Sequence, residues 1–154
     1  MRAICIIDTS ILCEMLRIPG KFKKSDPGSI TTTFQEKSDA GEAMLLPLAT
    51  ILETGNHIGQ IRDGEKRWTI ANNFRTLVTA AFSDQAPFTI TPLLDVDQWQ
   101  DLLAQFPEWA KDHGAGLGDL TIKDVFEQEC LRHPGRRVYV WSLDGHLQGY
   151  DRKP

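Results

Sequence analysis

The feature that most constrains this fold is a short apolar run near the start of the chain. Residues 3–7 are apolar without interruption, and the run stops at Asp8. A continuous apolar run leaves no face for solvent, so it predicts a strand covered on both sides, as in a parallel sheet between helices. Asp8 would then lie at the carboxyl end of this strand, which is where ligands bind in open α/β sheets.

The rest of the chain alternates between strand and helix patterns. Short apolar runs predict three further strands, at residues 44–48, 88–91 and 138–141. Apolar side chains at helical spacing predict the main helices, at residues 11–18, 50–61, 66–82 and 120–131. This alternation predicts one α/β domain over residues 1–154, a three-layer α/β/α sandwich with a central, mostly parallel sheet.

The connecting segments carry further local signals. Polar residues at 21–33 predict a surface loop, followed by a helical turn or two at 36–43. Asp95 and Gln98 have the spacing of a capping box and predict the start of another helix. Pro107 is expected to end that helix and to begin a separate short helical piece.

The composition excludes several classes of protein. With 41% hydrophobic and 25% charged residues, and no apolar run near the ~18 residues that span a bilayer, we expect a soluble protein without membrane association. No export signal is recognisable, so a cytoplasmic location is expected. Cys5, Cys13 and Cys130 are odd in number and widely spaced, which favours reduced thiols. The net charge of −4 argues against coating nucleic acid through bulk charge, although a metal-dependent nucleic-acid enzyme remains compatible with it.

Four carboxylates stand where predicted strands end or predicted helices begin. Asp8 follows the first strand and Asp144 follows the last, while Glu53 and Asp119 each lie at the start of a helix. In a parallel sheet all four would converge on one edge. Converged carboxylates repel one another unless they are protonated or bridged by cations. Mg²⁺ and Mn²⁺ favour oxygen ligands, so the pattern predicts a metal site suited to phosphodiester hydrolysis.

Each carboxylate also has a purely structural interpretation. Asp8 and Asp119 could cap the helices that follow them. Glu53 could complete a capping box with Thr50, and Asp144 could form a turn with the glycine after it. These alternatives explain the residues one at a time, whereas a single metal site explains all four together.

Histidines and serines lie close to these carboxylates in the sequence. His57 or His146 could contact a substrate phosphate, although a solvated surface histidine is the simpler interpretation. Ser10 and Ser142 stand beside carboxylates and not beside a histidine base, so we expect them to donate hydrogen bonds to ligands and not to act as nucleophiles. The glycine-rich residues 113–119 lack the dinucleotide-binding spacing, which argues against a Rossmann cofactor site.

Taken in order, four segments resemble the PIN-domain family of metal-dependent nucleases across almost the whole chain. The segments are IIDTS at 6–10, LATILE at 48–53, GDLTI at 118–122 and VWSLD at 140–144. The resemblance implies Mg²⁺ or Mn²⁺ as cofactor and hydrolysis of single-stranded or structured RNA. The chain is similar in size to VapC-like toxins, which implies a homodimer and a cognate antitoxin protein as partner.

The resemblance also assigns roles to the four acids. Asp8 and Asp119 match the primary metal ligands, and Asp144 matches a further ligand that binds directly or through water. Glu53 matches a ligand or a base that orients water, and Ser142 stands where the family often has threonine. Asp8, Glu53, Asp119 and Asp144 are thus the predicted catalytic residues.

The chain departs from the family pattern in two places. Its exposed cations also indicate where RNA is expected to bind. The polar stretch 21–43 is longer than in the compact toxins, and residues 114–118 are unusually rich in glycine. Four cations are expected to hold flanking phosphates, namely Lys21, Lys23, Arg62 and Arg67.

Two rival functions are compatible with the same pattern. A PIN-like scaffold could bind RNA or a protein partner without cutting. A phosphohydrolase of the haloacid dehalogenase type could use an aspartate on the first strand, but such enzymes need a second aspartate two residues later. Ser10 occupies that position here, so the required pair is incomplete.

Overall fold

In the computed structural model, residues 1–22 and 28–154 are described, and their strands form one five-stranded sheet. The strands are β1 (Ile4–Ile7), β2 (Ala43–Leu46), β3 (Phe88–Ile90), β4 (Val138–Trp141) and β5 (Asp151–Arg152). Their order is β3-β2-β1-β4-β5, and every neighbouring pair is parallel except β4 with β5. The prediction of an α/β fold with a mostly parallel sheet is confirmed.

Six helices connect the strands of the described chain. They are α1 (Thr9–Leu16), α2 (Ser29–Asp39), α3 (Leu48–Gly59), α4 (Gly64–Phe82), α5 (Val96–His113) and α6 (Leu117–Arg132). None of these helices is long and apolar enough to cross a membrane. All three cysteines are free thiols, and burial raises the pKa of Cys5 and Cys13 to about 11, so neither is a reactive thiolate at neutral pH.

The two faces of the sheet pack against different helices. Cys5 and Ile7 of β1 belong to a buried cluster that includes side chains of α1, α2 and α4. Ile4 and Ile6 belong to a second cluster on the opposite face, which includes Ile122 of α6. Because successive side chains of a strand point to opposite faces, β1 is covered on both sides as its sequence predicts. Helices on both faces are compatible with a three-layer sandwich.

Helix α2 corrects the predicted loop at 21–33. The helix runs from Ser29 to Asp39, so part of the predicted loop is helical, and the helical turns predicted at 36–43 end four residues earlier, before β2 begins at Ala43. Ile30 and Phe34, four residues apart, pack against the core cluster of β1 and explain why this polar segment is helical. Residues 23–27 lie outside the described part of the chain.

Helix α5 corrects the prediction made for Pro107. The helix continues through this proline to His113 and does not divide into two pieces. A proline removes the hydrogen bond to the carbonyl four residues earlier, which here is that of Leu103. Both residues are exposed, so the freed carbonyl can bind water at little cost. The predicted capping box at the start of α5 is present, with Asp95 and Gln98 bonded reciprocally.

The connectivity of the sheet places a crevice beside β1. The chain passes from β1 to β2 and β3 on one side, and β4 then pairs with β1 on the other side. Ile7 is paired with Trp141, so the carboxyl ends of β1 and β4 lie together where the strand order reverses. Ligands of open α/β sheets bind at such a switch point. The segments that follow β1 and β4 are therefore the parts of the chain best placed to form a site.

Candidate active site

A cleft of about 310 Å³ opens at this switch point, and all four predicted acids line it. Asp8 directly follows β1, Asp144 follows β4, Glu53 lies on α3 and Asp119 lies in the first turn of α6. The structure thus brings together side chains that are far apart in the sequence. We refer to this region as the acid cleft.

Asp8 is buried and held by two serine hydroxyls. The hydroxyls of Ser10 and Ser142 donate to its Oδ2 at 2.8 and 2.7 Å. The backbone N–H of Ser10 donates to the same oxygen at 3.4 Å, so Asp8 also caps α1, as its structural interpretation predicts. The hydrogen bonds from described residues all arrive at Oδ2, which leaves the lone pairs of Oδ1 for a ligand.

The turn after β4 is tied to the same network. The backbone N–H of Leu143 donates to the Ser10 hydroxyl, and that of Asp144 donates to the Ser142 hydroxyl, both at 2.9 Å. Oδ1 of Asp144 accepts from the N–H of His146 at 2.9 Å, which is the predicted turn. The two serines therefore act as the predicted hydrogen-bond donors and fix the segment that carries Asp144 against Asp8.

Glu53 is held in the cleft by contacts that exclude the capping-box interpretation. The N-terminal cap of α3 is Pro47, and Thr50 is fully buried inside the helix, where its hydroxyl donates to the carbonyl of Ile7 at 2.8 Å. Glu53 Oε2 instead accepts from the Thr9 hydroxyl at 3.0 Å. The Thr50 hydrogen bond anchors α3 to the end of β1, and the Thr9 hydrogen bond holds the Glu53 carboxylate in the cleft. Glu53 therefore does not cap its own helix.

Gly118 allows Glu53 to lie in this position. A Cβ atom added to Gly118 would stand 2.3 Å from Oε1 of Glu53, a distance that real Cβ atoms do not adopt. Gly118 has no positive φ, so glycine matters here because the carboxylate approaches it closely and would have to move away from any larger residue. This contact gives the glycine-rich segment 114–118 a structural reason that its sequence does not reveal.

Asp119 has the most perturbed carboxyl group of the cleft. Helix α6 is capped by Gly116, so the interpretation of Asp119 as the helix cap is wrong. Burial, and then the charges of Glu53, Asp8 and Asp144 in that order, raise the pKa of Asp119 to about 6, while His146 opposes the shift. The other three acids contribute to this shift because they line the same cleft.

Cations and imidazoles stand at the edge of the acid cleft. Lys21 lines the cleft with an exposed side chain, as its predicted role requires. His57 also lines it and is half-buried, so the solvated surface interpretation is wrong for this histidine. Its Nδ1 is buried without a hydrogen-bond partner among the described residues. His146 is exposed, as expected for a surface histidine.

The other cations predicted to hold phosphates are placed differently. Arg62 and Arg67 are exposed but do not line the cleft, and a guanidinium nitrogen of Arg67 donates to the carbonyl of Ile61 at 2.7 Å. Arg67 therefore stabilises the junction between α3 and α4. Lys23 lies outside the described residues.

The donors of the cleft fit a hard divalent cation by their chemistry. Four carboxylates and the hydroxyls of Thr9 and Ser10 supply oxygen atoms, which Mg²⁺ and Mn²⁺ prefer. Within residues 1–22 and 28–154, no three His, Cys, Asp or Glu side chains stand in a ready-made coordination geometry. The fit rests on the donor set and on the closeness of the four carboxylates, whose mutual repulsion a bound cation would relieve.

A second cavity adjoins the acid cleft and has no counterpart in the sequence prediction. This pocket has a volume of about 280 Å³ and lies between α3, α6 and the segment that follows β3. Its lining is almost entirely apolar, and Glu53 belongs to both cavities. Nothing in the periodicity of these segments distinguishes its lining from ordinary core.

The sequence and the fold match no protein-family model, no characterised protein and no solved structure. The likeness to PIN-domain nucleases therefore depends on the four segments quoted above. The structure adds the physical setting of those segments, since their acidic residues line a single cleft at the switch point of a parallel sheet.

Proposed function

We propose that this protein is a metal-dependent endoribonuclease with a PIN-like fold, which hydrolyses RNA phosphodiester bonds in the acid cleft. The observation that carries the proposal is the convergence of Asp8, Glu53, Asp119 and Asp144 on one cleft at the carboxyl edge of the sheet. Four carboxylates in one cleft are unfavourable in the free protein. A bound divalent cation would remove this repulsion and would also attract an anionic substrate to the cleft.

The cation would be held chiefly by Asp8 and Asp119, with Asp144 as a further ligand directly or through water. When bound, Mg²⁺ or Mn²⁺ lowers the pKa of water and offsets the charge that develops on a phosphate during hydrolysis. Ser10 and Ser142 fix the Asp8 carboxylate by donating to Oδ2, which would hold this residue in place as a ligand of the cation.

Glu53 would orient the attacking water or accept its proton. The Thr9 hydroxyl occupies Oε2, and Oε1 lies against Gly118, so the carboxylate is held from both sides. A fixed carboxylate beside the scissile phosphate is what general-base catalysis requires. Lys21 at the edge of the cleft adds a positive charge that would attract the phosphates flanking the cut.

The biological setting proposed for this activity follows from the family resemblance. RNA as the substrate, a homodimeric state and an antitoxin protein that restrains the enzyme are all properties of VapC-like toxins. A cytoplasmic location is consistent with that role. The acid cleft supports the chemistry, and the resemblance supports the setting.

The decisive experiment is cleavage of a mixed RNA preparation by the purified protein. Mg²⁺ or Mn²⁺ should support cutting, EDTA should prevent it, and Asp8→Asn should lower the rate by at least about a hundredfold. Asp97→Asn is the matched control, because Asp97 is an exposed aspartate in the first turn of α5. Its activity should equal that of the wild type.

Three results would overturn the proposal. Cutting that survives Asp8→Asn unchanged would show that the acid cleft is not the catalytic centre. Tight RNA binding without metal-dependent turnover would instead identify a binding module that has the scaffold but not the activity. Turnover of small phosphate esters, with none of RNA, would point to the phosphohydrolase alternative.

A further inference from the structure

The apolar pocket beside the acid cleft has a volume of about 280 Å³, which is large enough for a small organic group. Its walls come from side chains of α3 and α6, from the segment after β3 and from Trp99 of α5, among them Leu48, Leu52, Leu94 and Val125. Two leucines at the pocket, Leu52 and Leu93, are 59% and 69% exposed. Exposed apolar side chains around a cavity are a feature of binding sites.

The polar side chains that line the pocket are few, namely Glu53, Thr91 and Thr121. Glu53 forms part of both cavities, and Gly118, against which its Oε1 lies, also lines the pocket. The hydroxyl of Thr121 donates to the carbonyl of Gly118 at 2.6 Å, which turns that hydroxyl toward the backbone. The pocket thus combines apolar walls with one carboxylate at the border of the acid cleft.

We propose that this pocket receives one unstacked nucleobase of the RNA, next to the phosphate that is bound in the acid cleft. The inference rests on the proposed ribonuclease function and names where the enzyme reads its substrate. Phosphate and base belong to the same or to adjacent nucleotides, so two cavities that share a wall are suited to one stretch of RNA. Proteins that recognise single-stranded RNA hold splayed bases against aromatic and apolar side chains, and Trp99 supplies the aromatic group here.

The shared carboxylate favours a base over an apolar side chain of a protein partner. A purely apolar occupant would remove water from Glu53 without replacing its hydrogen bonds, which is unfavourable. A base with an exocyclic amino group can donate to a carboxylate, as cytosine does to Glu or Asp in nucleic-acid complexes. Adenine, cytosine and guanine carry such a group, whereas uracil offers only its ring N3–H between two carbonyl oxygens that a carboxylate repels, so uridine should be the poorest occupant.

The test uses short RNA substrates that contain a mapped cleavage site and one abasic nucleotide at each flanking position in turn. One position should lower kcat/KM by roughly 5- to 150-fold, which corresponds to the stacking of a single base on an aromatic side chain. Uridine at that position should be cut more slowly than the other three nucleotides. In Trp99→Leu most of the penalty for the abasic nucleotide should be lost, because the variant lacks the aromatic side chain on which the base stacks.

The controls separate the pocket from general effects on folding and RNA binding. Trp68→Leu removes a tryptophan of α4 that is 66% exposed and lies outside both cavities, and it should keep the full abasic penalty. Trp99 also packs beside the cluster of Leu102 and Trp109, so Trp99→Leu is expected to lose some stability. Leu93→Ser, at an exposed position of the pocket, supplies a second variant and should reduce the penalty without a folding defect.

Failure of this inference can be distinguished from failure of the proposed function. RNA cleavage with no abasic position that depends on Trp99 would overturn the base pocket and leave the nuclease intact. Absence of both cleavage and RNA binding would overturn the two proposals together. If Trp99→Leu kept the abasic penalty but lost the binding of a partner protein, the pocket would be a protein-binding site and the inference would be wrong.

Discussion

Two polar clusters flank the central strands of this protein, and they handle charge in opposite ways. The acid cleft lies at the carboxyl ends of β1 and β4. None of its four acids takes part in an ion pair within the described residues. The second cluster lies toward the amino ends of β2 and β4 and consists of Lys37, Glu42 and Tyr139. We call it the ion-pair cluster.

The ion-pair cluster satisfies its own charges. The Lys37 ammonium lies 3.9 Å from the Glu42 carboxylate and donates to the Tyr139 hydroxyl, which in turn donates to Glu42. The same ammonium stands 4.7 Å and 5.0 Å from the ring centroids of Tyr139 and Trp141. Burial and the neighbouring Cys5 and Glu42 raise the pKa of Tyr139, so its hydroxyl remains a donor. Such a cluster stabilises the fold and requires no ligand.

The difference between the clusters separates a structural role from a functional one. Both consist of partly buried ionisable side chains held by hydrogen bonds. Only the acid cleft brings four carboxylates together with no ion pair among the described residues, which is unfavourable until a cation binds between them. The comparison predicts opposite responses when one charge is removed from each cluster.

The largest expected effect is a loss of RNA cleavage, and it is measured by comparing Asp119→Asn in the acid cleft with Glu42→Gln in the ion-pair cluster. Asp119→Asn should lower RNA cleavage about 10²–10³-fold, since it removes a proposed metal ligand. The same change should stabilise the metal-free protein at neutral pH, because it relieves repulsion among carboxylates. Glu42→Gln should leave cleavage within about twofold of wild type. It should cost about 1–3 kcal/mol of unfolding free energy, because Lys37 loses its partner in a site where both side chains are only 16% exposed.

Cleavage rates and urea unfolding in EDTA measure both quantities on the same preparations. The comparison fails if the two variants change stability in the same direction. It also fails if Glu42→Gln reduces activity as strongly as Asp119→Asn, because the ion-pair cluster would then take part in catalysis.

The next effect tests the backbone that supports the acid cleft. Gly118→Ala would place a Cβ atom against Oε1 of Glu53, so the carboxylate must move. Displacement of a catalytic group by about 1 Å can cost on the order of a hundredfold in rate, and we expect a loss of about 10- to 100-fold in kcat. The matched control is Gly116→Ala, where an added Cβ meets no atom within 4 Å.

Gly116→Ala should keep nearly full activity, although Gly116 caps α6 and a small loss of stability is expected. Equal activity in the two alanine variants would show that the position of Glu53 does not matter for the reaction. A Gly118→Ala protein that lost activity only through misfolding would show a matching fall in its thermal midpoint, which the same experiment records.

Much of the fold could be predicted because its strands are short apolar runs that end at turn residues. The second strand was predicted at 44–48, but it ends at Leu46, and Leu48 begins α3. Pro47 accounts for this change, since its fixed φ and missing N–H suit the cap of a helix. The start of α2 was missed because only Ile30 and Phe34 mark its buried side in an otherwise polar segment.

The candidate site could be predicted only in part, and the reason is physical. Asp8 and Asp144 follow parallel strands, so the topology alone brings them to one edge. The contact of Glu53 with Gly118 and the apolar pocket between α3 and α6 depend on how two helices pack. Those contacts leave no periodic pattern in the sequence of either helix, so they cannot be predicted from one segment alone.

The smallest expected effect is the pH dependence of stability in the metal-free protein. The pKa of Asp119 rises from 3.8 to about 6 on folding, chiefly through burial and then through its neighbouring carboxylates. Between these two values the folded protein binds a proton that the unfolded chain releases. Stability from this group is therefore highest at low pH and falls as pH rises through about 6. The thermal midpoint in EDTA should decline across this window relative to Asp119→Asn, by on the order of a few °C.

Added Mn²⁺ should reverse that slope, because proton and cation compete for the same carboxylate. Below about pH 6, Asp119 must release its proton before it can bind metal, so the apparent affinity for Mn²⁺ should rise with pH and level off above this value. Stabilisation by a fixed Mn²⁺ concentration should accordingly be largest where the metal-free protein is weakest. If wild type and Asp119→Asn instead follow parallel curves with and without Mn²⁺, Asp119 neither repels the other acids nor binds the ion. The acid cleft would then be no different in kind from the ion-pair cluster.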